Sequence, residues 1–187
     1  MDSRTKLLDA AKQLVWERGV AATSPAMLLA RSGVGQGSLY HHFATKSAWA
    51  EAAIAALAAD LTAETDEVFS AHPTGPEQLR AYLTRPRPAL DGCRLGRLAF
   101  DPEVRANAAL RAPVSAYFEH LRGLLRPAVR ATGADDVEGV VEAICAVVQG
   151  GYVTSRLSDD ADALDRACRG LLALLGTRPR ISGKPHS

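Results

Sequence analysis

Residues 32–46 read SGVGQGSLYHHFATK, in which three glycines within five positions precede a serine, a tyrosine and two histidines. Glycine-rich stretches often bind phosphate, but each type of phosphate-binding loop needs particular residues at fixed positions. A dinucleotide-binding fingerprint needs a glycine where Ser38 stands, and a Walker-type loop needs a lysine directly after Gly37. Here Ser38 follows Gly37, and the next lysine is Lys46. The glycines therefore indicate a turn rather than a phosphate loop.

This turn lies between two short predicted helices. Thr23 or Ser24 can cap a helix over residues 25–33, which begins with a proline suited to the first helical turn. A second helix of about seven residues, 36–42, follows Gly35. Two short helices joined in this way form the unit that inserts its second helix into the DNA major groove. The stretch therefore predicts a helix-turn-helix.

The second helix has an apolar face and a polar face. Leu39 and Phe43 are four residues apart and therefore lie on the same face of the helix. Because both are apolar, we expect this face to point inward. Six basic and three acidic residues precede position 50, which gives this segment a formal charge of +3 and favours an anionic partner. The outward face offers groups suited to phosphates and base edges, carried by Gln36, Ser38, Tyr40 and His41.

The whole chain has the composition of a soluble globular protein, with 187 residues, 47% apolar and 23% charged. Alanine and leucine recur with helical periodicity almost throughout, which predicts an all-α fold of about nine helices. No apolar run approaches the roughly 18 residues of a membrane span. The start of the chain has no cleavable signal pattern, so we expect a cytoplasmic protein.

The sequence lacks the residue patterns that metal sites and catalytic sites require. The three cysteines form no Cys-x-x-Cys pair, and His72 and His120 have no partner at metal-ligand spacing. No Gly-x-Ser-x-Gly string occurs. We therefore expect no metal, no cofactor and no enzymatic activity. Cys93, beside Arg94 in a DGCRLG turn, could sense oxidants or electrophiles if exposed, and a buried structural cysteine is the alternative.

The opening stretch resembles the recognition-helix signature of the tetracycline-repressor (TetR) family of transcriptional regulators. That signature reads Gly-Val-x-x-Gly-x-Leu-Tyr-x-His-Phe-x-x-Lys, and the resemblance covers residues 3 to about 50 closely. Its specific positions are matched in order by Gly33, Val34, Gly37, Leu39, Tyr40, His42, Phe43 and Lys46.

The resemblance implies a three-helix DNA-binding domain over residues 1–46 and a helical ligand-binding and dimerisation domain over residues 47–187. It also implies a homodimeric repressor that binds a palindromic double-stranded operator. Position by position, the resemblance assigns DNA contacts to Ser24, Pro25, Gln36, Gly37, Ser38, Tyr40, His41, His42 and Lys46.

Two helices near the end of the chain carry wide apolar arcs, more than a single core contact needs. Pairing with their symmetry mates would make a four-helix dimer interface, which is what the resemblance implies. The alternative is a helix pair buried wholly within one subunit. The residues predicted for the interface are Val140, Ile144, Val147, Val148, Gly151, Leu164, Cys168, Leu171, Leu172 and Leu175.

A small-molecule effector is the remaining partner that the resemblance implies. A pocket for an apolar or aromatic effector would combine apolar faces with a few hydrogen-bonding groups. We therefore expect a repressor that releases its operator when the effector binds, and a ligand-independent DNA-binding structural protein is the alternative. The candidate ligand residues, which a plain core would also explain, are Tyr82, Leu95, Phe100, Tyr117, Phe118, Leu121, Gln149 and Tyr152.

Overall fold

The computed structural model describes residues 2–176, and within that range the chain is helical with no strand. The all-α prediction is therefore confirmed. The described elements are α1 (Ser3–Arg18), α2 (Pro25–Ser32), α3 (Gln36–His42), α4 (Lys46–Ser70), α5 (Gly75–Thr84), a 3-10 helix (Gly96–Phe100), α6 (Pro102–Ala106), α7 (Ala108–Arg130), α8 (Val137–Ser158) and α9 (Asp162–Gly176).

Local capping sets the bounds of the first helices. Of the two predicted caps for α2, Ser24 is the one used, since its hydroxyl accepts a hydrogen bond from the Met27 amide at 3.3 Å. Gly33 ends α2 with φ at 66°, in the left-handed region that favours glycine. Thr45 caps α4, accepting from the Ala48 amide at 3.1 Å. These caps fix the turn that orients α3.

The first three helices share a core with the first half of α4, the 3-10 helix, α6 and the start of α7. Leu28 and Leu39 are buried in this core, as are Trp49 and Leu98. Leu98 of the 3-10 helix is therefore packed in the same core as Leu28 and Leu39 of the helix-turn-helix. The predicted division into domains 1–46 and 47–187 stays a prediction, and residues 177–187 lie outside the described range.

A second core joins the end of α4 to α5, α7, α8 and α9. Gly151 of α8 lets α9 approach closely, because a Cβ there would lie 2.4 Å from Leu164 Cδ1. This packing changes the interpretation of the predicted dimer residues. Those already buried inside the single chain have almost no surface left for a partner to cover, and they are Val140, Ile144, Val148, Gly151, Leu164 and Cys168.

The remaining predicted interface residues are half-buried, namely Val147, Leu171, Leu172 and Leu175, and the three leucines pack against this second core. The outward side of α8 instead carries an exposed stripe of small and apolar residues. Leu157 at its end is 83% exposed. We call this set the α8 stripe, and its members are Ala143, Ala146, Gly150, Val153 and Leu157.

Although charged residues interrupt its sequence, α8 is long and apolar enough to cross a membrane, by length and composition only, as judged within the described residues. Only 28% of its most apolar window is buried inside the chain. The core helix of a soluble protein passes the same test. The α8 stripe accounts for part of the apolar surface that the single chain leaves uncovered.

A single residue separates α6 from α7. Asn107 lies between them in an extended conformation, and its side chain accepts a hydrogen bond from the Ala109 amide at 3.0 Å. Asn107 also donates to the Ser47 hydroxyl at 3.0 Å. The break therefore ties the start of α7 to the start of α4.

Candidate DNA interface and ligand cavity

Helix α3 presents the polar face that its sequence predicts. Leu39 and Phe43 are buried, at 0% and 5% exposure, and anchor the helix in the first core. Tyr40 is 50% exposed although it is aromatic. A large amphipathic side chain left open to solvent on a helix of this kind is available for a partner. Gln36, Gly37 and His41 are exposed beside it, while Ser38 and His42 are half-buried.

Further groups lie beside α3. The His41 and His42 rings meet edge to face with centroids 5.1 Å apart. Arg4 of α1 lies over the Phe43 ring, with its guanidinium carbon 5.8 Å from the centroid. Arg4 was not among the predicted DNA residues, because it lies far from the motif in sequence. The sequence feature that could have indicated Arg4 is its position in the basic N-terminal segment.

Lys46, a predicted DNA contact, is engaged within the chain. Its ammonium lies 2.8 Å from the Glu103 carboxylate of α6, and the Lys46 and Glu103 side chains are 30% and 42% exposed. The same nitrogen lies 3.5 Å from the Ala21 carbonyl, in the connection between α1 and α2. In this arrangement, the lysine at the start of α4 bridges the helix-turn-helix and α6.

Ser24 and Pro25, the other predicted DNA residues, begin α2. The Ser24 hydroxyl already accepts the Met27 amide, and Ser24 itself is exposed. Pro25 is half-buried at the first helical position. Arg31 at the end of this helix pairs with Glu17 at 2.9 Å and lowers the pKa of that carboxyl, which fixes α2 against α1.

A cavity of about 440 Å³ lies between the 3-10 segment, α7 and α8. This volume falls within the usual range for small-molecule sites, which is about 300 to 1,000 Å³. Its wall is largely apolar with a few polar groups. The lining residues are Gly92, Cys93, Gly96, Arg97, Ala99, Phe100, Phe118, Gln149, Gly150, Tyr152, Val153 and Arg156.

The structure brings four of the eight predicted ligand residues to this cavity, namely Phe100, Phe118, Gln149 and Tyr152. The other four are fully packed. Leu95 and Tyr117 are buried in the first core, and Tyr82 and Leu121 in the second. Which predicted residues reach the cavity depends on three-dimensional packing. Leu95 and Phe100 are only five residues apart, yet Leu95 is buried and Phe100 is exposed.

Tyr152 supplies a neutral hydrogen-bonding group to the cavity. Burial raises the pKa of its phenol to about 12, so the hydroxyl remains protonated at neutral pH. Two arginines line the same cavity, Arg97 from the 3-10 helix and Arg156 from α8. Neither was predicted, because they are 59 positions apart in sequence and only the fold brings them together.

The wall of the cavity is connected to α1 by hydrogen bonds. Arg97 donates to the Trp16 carbonyl and, at 2.9 Å, to the Glu17 carbonyl, both at the end of α1. The Trp16 indole N–H lies 3.4 Å from the Gly92 carbonyl. One segment, residues 92–97, therefore contacts both the cavity and α1.

Asp101 makes a second connection of this kind. Its Oδ2 accepts from the Ala21 amide at 3.1 Å, while its Oδ1 accepts from the Glu103 amide at 2.9 Å and caps α6. The carboxylate is 8% exposed. The turn after α1 is thus fixed to the start of α6. Gly19 in that turn, with φ at 82°, leaves the space that the carboxylate occupies.

The three cysteines differ in their surroundings. Cys93 is half-buried at the cavity, and its Sγ accepts a hydrogen bond from the Gly96 amide at 3.2 Å. Cys145 and Cys168 are buried, and burial raises the pKa of both thiols. Within residues 2–176, no three His, Cys, Asp or Glu side chains gather at metal-binding separations.

Comparison with known proteins places these features in a class. Residues 7–53 match the family described as bacterial regulatory proteins, tetR family. A curated relative, the HTH-type transcriptional repressor KstR2 of Rhodococcus jostii strain RHA1, is 30% identical over 102 residues, which are 54% of this chain. The chain spans half of the length of that relative.

Solved structures of similar fold cover nearly the whole chain. A TetR-family regulator from Agrobacterium tumefaciens matches with a TM-score of 0.81 and 22% identity, over 92% of this chain and 96% of that one. The reduced form of Escherichia coli NemR matches with a TM-score of 0.77 and 21% identity, over 91% and 95% of the two chains. At these identities the likeness shows the fold.

The three comparisons agree on a class of protein. The N-terminal region carries the DNA-binding domain of the tetR family, and the chain has the fold of TetR-family transcriptional regulators. The resemblance drawn from residues 33–46 is thereby confirmed.

Proposed function

We propose that this chain is a homodimeric repressor that binds a palindromic DNA operator and releases it when a small molecule occupies the cavity. The observation that carries the proposal is the double role of Arg97. Its side chain lines the cavity, and it donates hydrogen bonds to the carbonyl groups that end α1. A ligand that displaces this side chain acts directly on a helix of the DNA-binding domain.

The DNA-binding part of the proposal places α3 in the major groove. Its exposed amide, phenol and imidazole groups supply base-edge and phosphate contacts. Lys46 supplies a phosphate contact at the start of α4. In this proposal the domain boundary lies between residues 46 and 47, and the protein acts in the cytoplasm, where its operator is.

The dimer forms through α8 and α9, with the α8 stripe at its centre. A two-fold axis makes the same patch face itself, and small residues such as Ala146 and Gly150 let two helices approach closely. Dimerisation sets the separation of the two α3 helices. Successive major grooves on one face of DNA are about 34 to 36 Å apart, so both helices can read DNA only at that spacing.

Ligand release follows from a shift between two states. A ligand that binds more tightly when the α3 helices are wrongly spaced lowers the population that can bind the operator. The connections through Arg97 and Asp101 give the path between the cavity wall and the DNA-binding helices. A coupling of about 1.4 kcal/mol corresponds to a ten-fold loss of operator affinity.

The test combines operator selection with ligand screening. Random duplex DNA is enriched on the full chain, and the selected operator is titrated in the presence of each member of a small-molecule panel. A ligand that raises the thermal midpoint of the protein should also weaken operator binding. Compounds that bind without changing operator affinity would support a ligand-independent DNA-binding protein instead.

A further inference from the structure

We propose that the cavity is selective for anionic amphiphiles, which are molecules with an apolar body and one carboxylate or phosphate group. The proposal rests on the proposed ligand response and names the class of ligand. Two observations lead to it. The charged residues that line the cavity are two arginines, Arg97 and Arg156, and none of the lining residues within 2–176 is acidic.

The two arginines line the same cavity, so their positive charges repel each other. The pKa of Arg97 is lowered first by burial and then by the positive charge of Arg156, and only Asp101 opposes this effect. Asp101 is engaged with the Ala21 amide and the start of α6. An anion placed between the two arginines would relieve their repulsion and would be favoured by both charges.

More positive charge lies behind Tyr152. Arg85 and Arg87 lie over the Tyr82 ring, each with its guanidinium carbon 5.0 Å from the centroid. Both lower the pKa of the Tyr152 phenol, against the larger effect of burial. In the described part of the chain, their Nε atoms are buried without a hydrogen-bond partner. Arg85 and Arg87 therefore add positive charge near Tyr152, which lines the cavity.

Two other arginines that lie near the same helices, in contrast, are paired with carboxylates. Arg94, three positions before Arg97, lies 2.6 Å from a carboxylate oxygen of Glu64. Arg122 lies 2.6 Å from Glu142. Arg156 takes part in no ion pair among the described residues, although it borders a cavity of ligand size.

The rest of the wall fits the apolar body of such a ligand. Phe118 and Val153 line the cavity, and Phe100 extends its apolar wall with a ring that is 83% exposed. Tyr152 offers a protonated hydroxyl that can donate to the same anion. Because Arg97 also donates to the end of α1, an anion that competes for this guanidinium would weaken that connection.

Matched acid and amide pairs test the proposal on the full chain. The probes are decanoate with decanamide, and 4-phenylbutyrate with 4-phenylbutyramide, measured by isothermal titration calorimetry at physiological salt. Each pair keeps the apolar body and changes only the charge. We expect at least one acid to bind ten-fold or more tightly than its amide, a difference of about 1.4 kcal/mol.

Arg156→Met keeps an unbranched apolar side chain and removes the charge, so it should lower acid affinity about ten-fold and leave the affinity of the amide unchanged. Arg156→Lys should retain part of the preference for the acid. Arg80→Met, which removes an exposed charge on α5 away from the cavity wall, is the matched control and should have no effect. Circular dichroism checks that each variant is folded.

The outcomes separate the two proposals. Equal affinity for acid and amide, or an unchanged acid affinity in Arg156→Met, would overturn the anionic preference. If neither acid binds but a neutral compound from the screening panel both binds and releases operator DNA, the anionic class is wrong and the ligand response remains. If panel compounds bind without affecting the operator, the proposed ligand response itself fails.

Discussion

The ammonium of Lys46 lies 2.8 Å from the carboxylate of Glu103, so a residue predicted to contact DNA is paired with α6. An exposed pair of this kind is worth up to about 1 kcal/mol. In the proposed complex, a DNA phosphate would replace Glu103 as the partner of the lysine. Under that proposal, Glu103 of α6 competes with DNA for Lys46.

Replacing Glu103 with glutamine should therefore strengthen DNA binding. The amide cannot neutralise Lys46, so we expect affinity for all duplex sequences to rise about two- to five-fold, in line with the value of an exposed pair. Fluorescence anisotropy on selected and random DNA measures this change. Glu67→Gln, near the far end of α4, removes the same charge roughly 30 Å away and should have little effect.

Lys46→Ala should weaken binding to all sequences about equally. Loss of one phosphate contact per half-site should also reduce the slope of log affinity against log salt by about one per half-site. In the Lys46→Ala background, Glu103→Gln should no longer strengthen binding. A gain that persists in the double variant would mean that Glu103 acts on DNA directly and not through the lysine.

Gln36→Ala should reduce specificity rather than general DNA affinity. The side chain is exposed at the start of α3, so its loss leaves the packing of Leu39 and Phe43 unchanged. We expect a cost of roughly 1 to 3 kcal/mol on the selected operator and relaxed preference at one base position. Repeating the operator selection with the variant measures both effects. An unchanged selected sequence and affinity would argue that α3 does not read the DNA at this residue.

The helix-turn-helix could be predicted closely from sequence because its signals are local. Gly33, Gly35 and Ser24 set the ends of two short helices, and the bounds of α3 coincide with the predicted range 36–42. Leu39 and Phe43 could be placed inward by their spacing alone. Each of these inferences requires only residues within one or two helical turns of each other.

The dimer surface and the cavity could not be predicted in the same way. Periodicity shows that α8 is apolar on several sides, but it does not say which side faces the chain's own core. The larger Val140 and Ile144 face that core, while Ala146 and Gly150 face outward. Likewise, the cavity joins residues from 92 to 156, and its arginines become neighbours only when the 3-10 helix packs beside α8.

Ala146→Glu tests the proposed dimer without disturbing the core. The residue is exposed in the α8 stripe, and a two-fold axis would bring two added charges close together. Light scattering should show a dimer for the parent and a folded monomer for the variant. Ala63→Glu, an exposed alanine on α4, is the matched control and should stay dimeric. A monomeric parent at micromolar concentration would contradict the dimer itself.

Cys93 should react with thiol reagents well before the other two cysteines. It is half-buried at the cavity, whereas Cys145 and Cys168 are buried, with pKa values raised so that the reactive thiolate is scarcer. Mass spectrometry after brief labelling of the native protein at pH 8 measures the order. Equal labelling of all three sites would exclude selective access at the cavity. A ligand bound in the cavity should slow the labelling of Cys93.

Asp101→Asn should reduce the coupling between the cavity and DNA while leaving ligand binding intact. Asparagine can keep one oxygen as the cap of α6, but its amide nitrogen cannot accept the Ala21 amide that Oδ2 now accepts. The side chain does not line the cavity, so we expect ligand affinity in the absence of DNA to be unchanged.

With the connection between α6 and the turn after α1 weakened in Asp101→Asn, the ligand should reduce operator affinity by a smaller factor than in the parent. Because coupling is reciprocal, operator DNA should reduce ligand affinity by that same smaller factor. Both factors are measured by titrating DNA at zero and saturating ligand, and ligand at zero and saturating DNA. Parent-like coupling in a folded Asp101→Asn variant would show that the signal does not pass through this carboxylate.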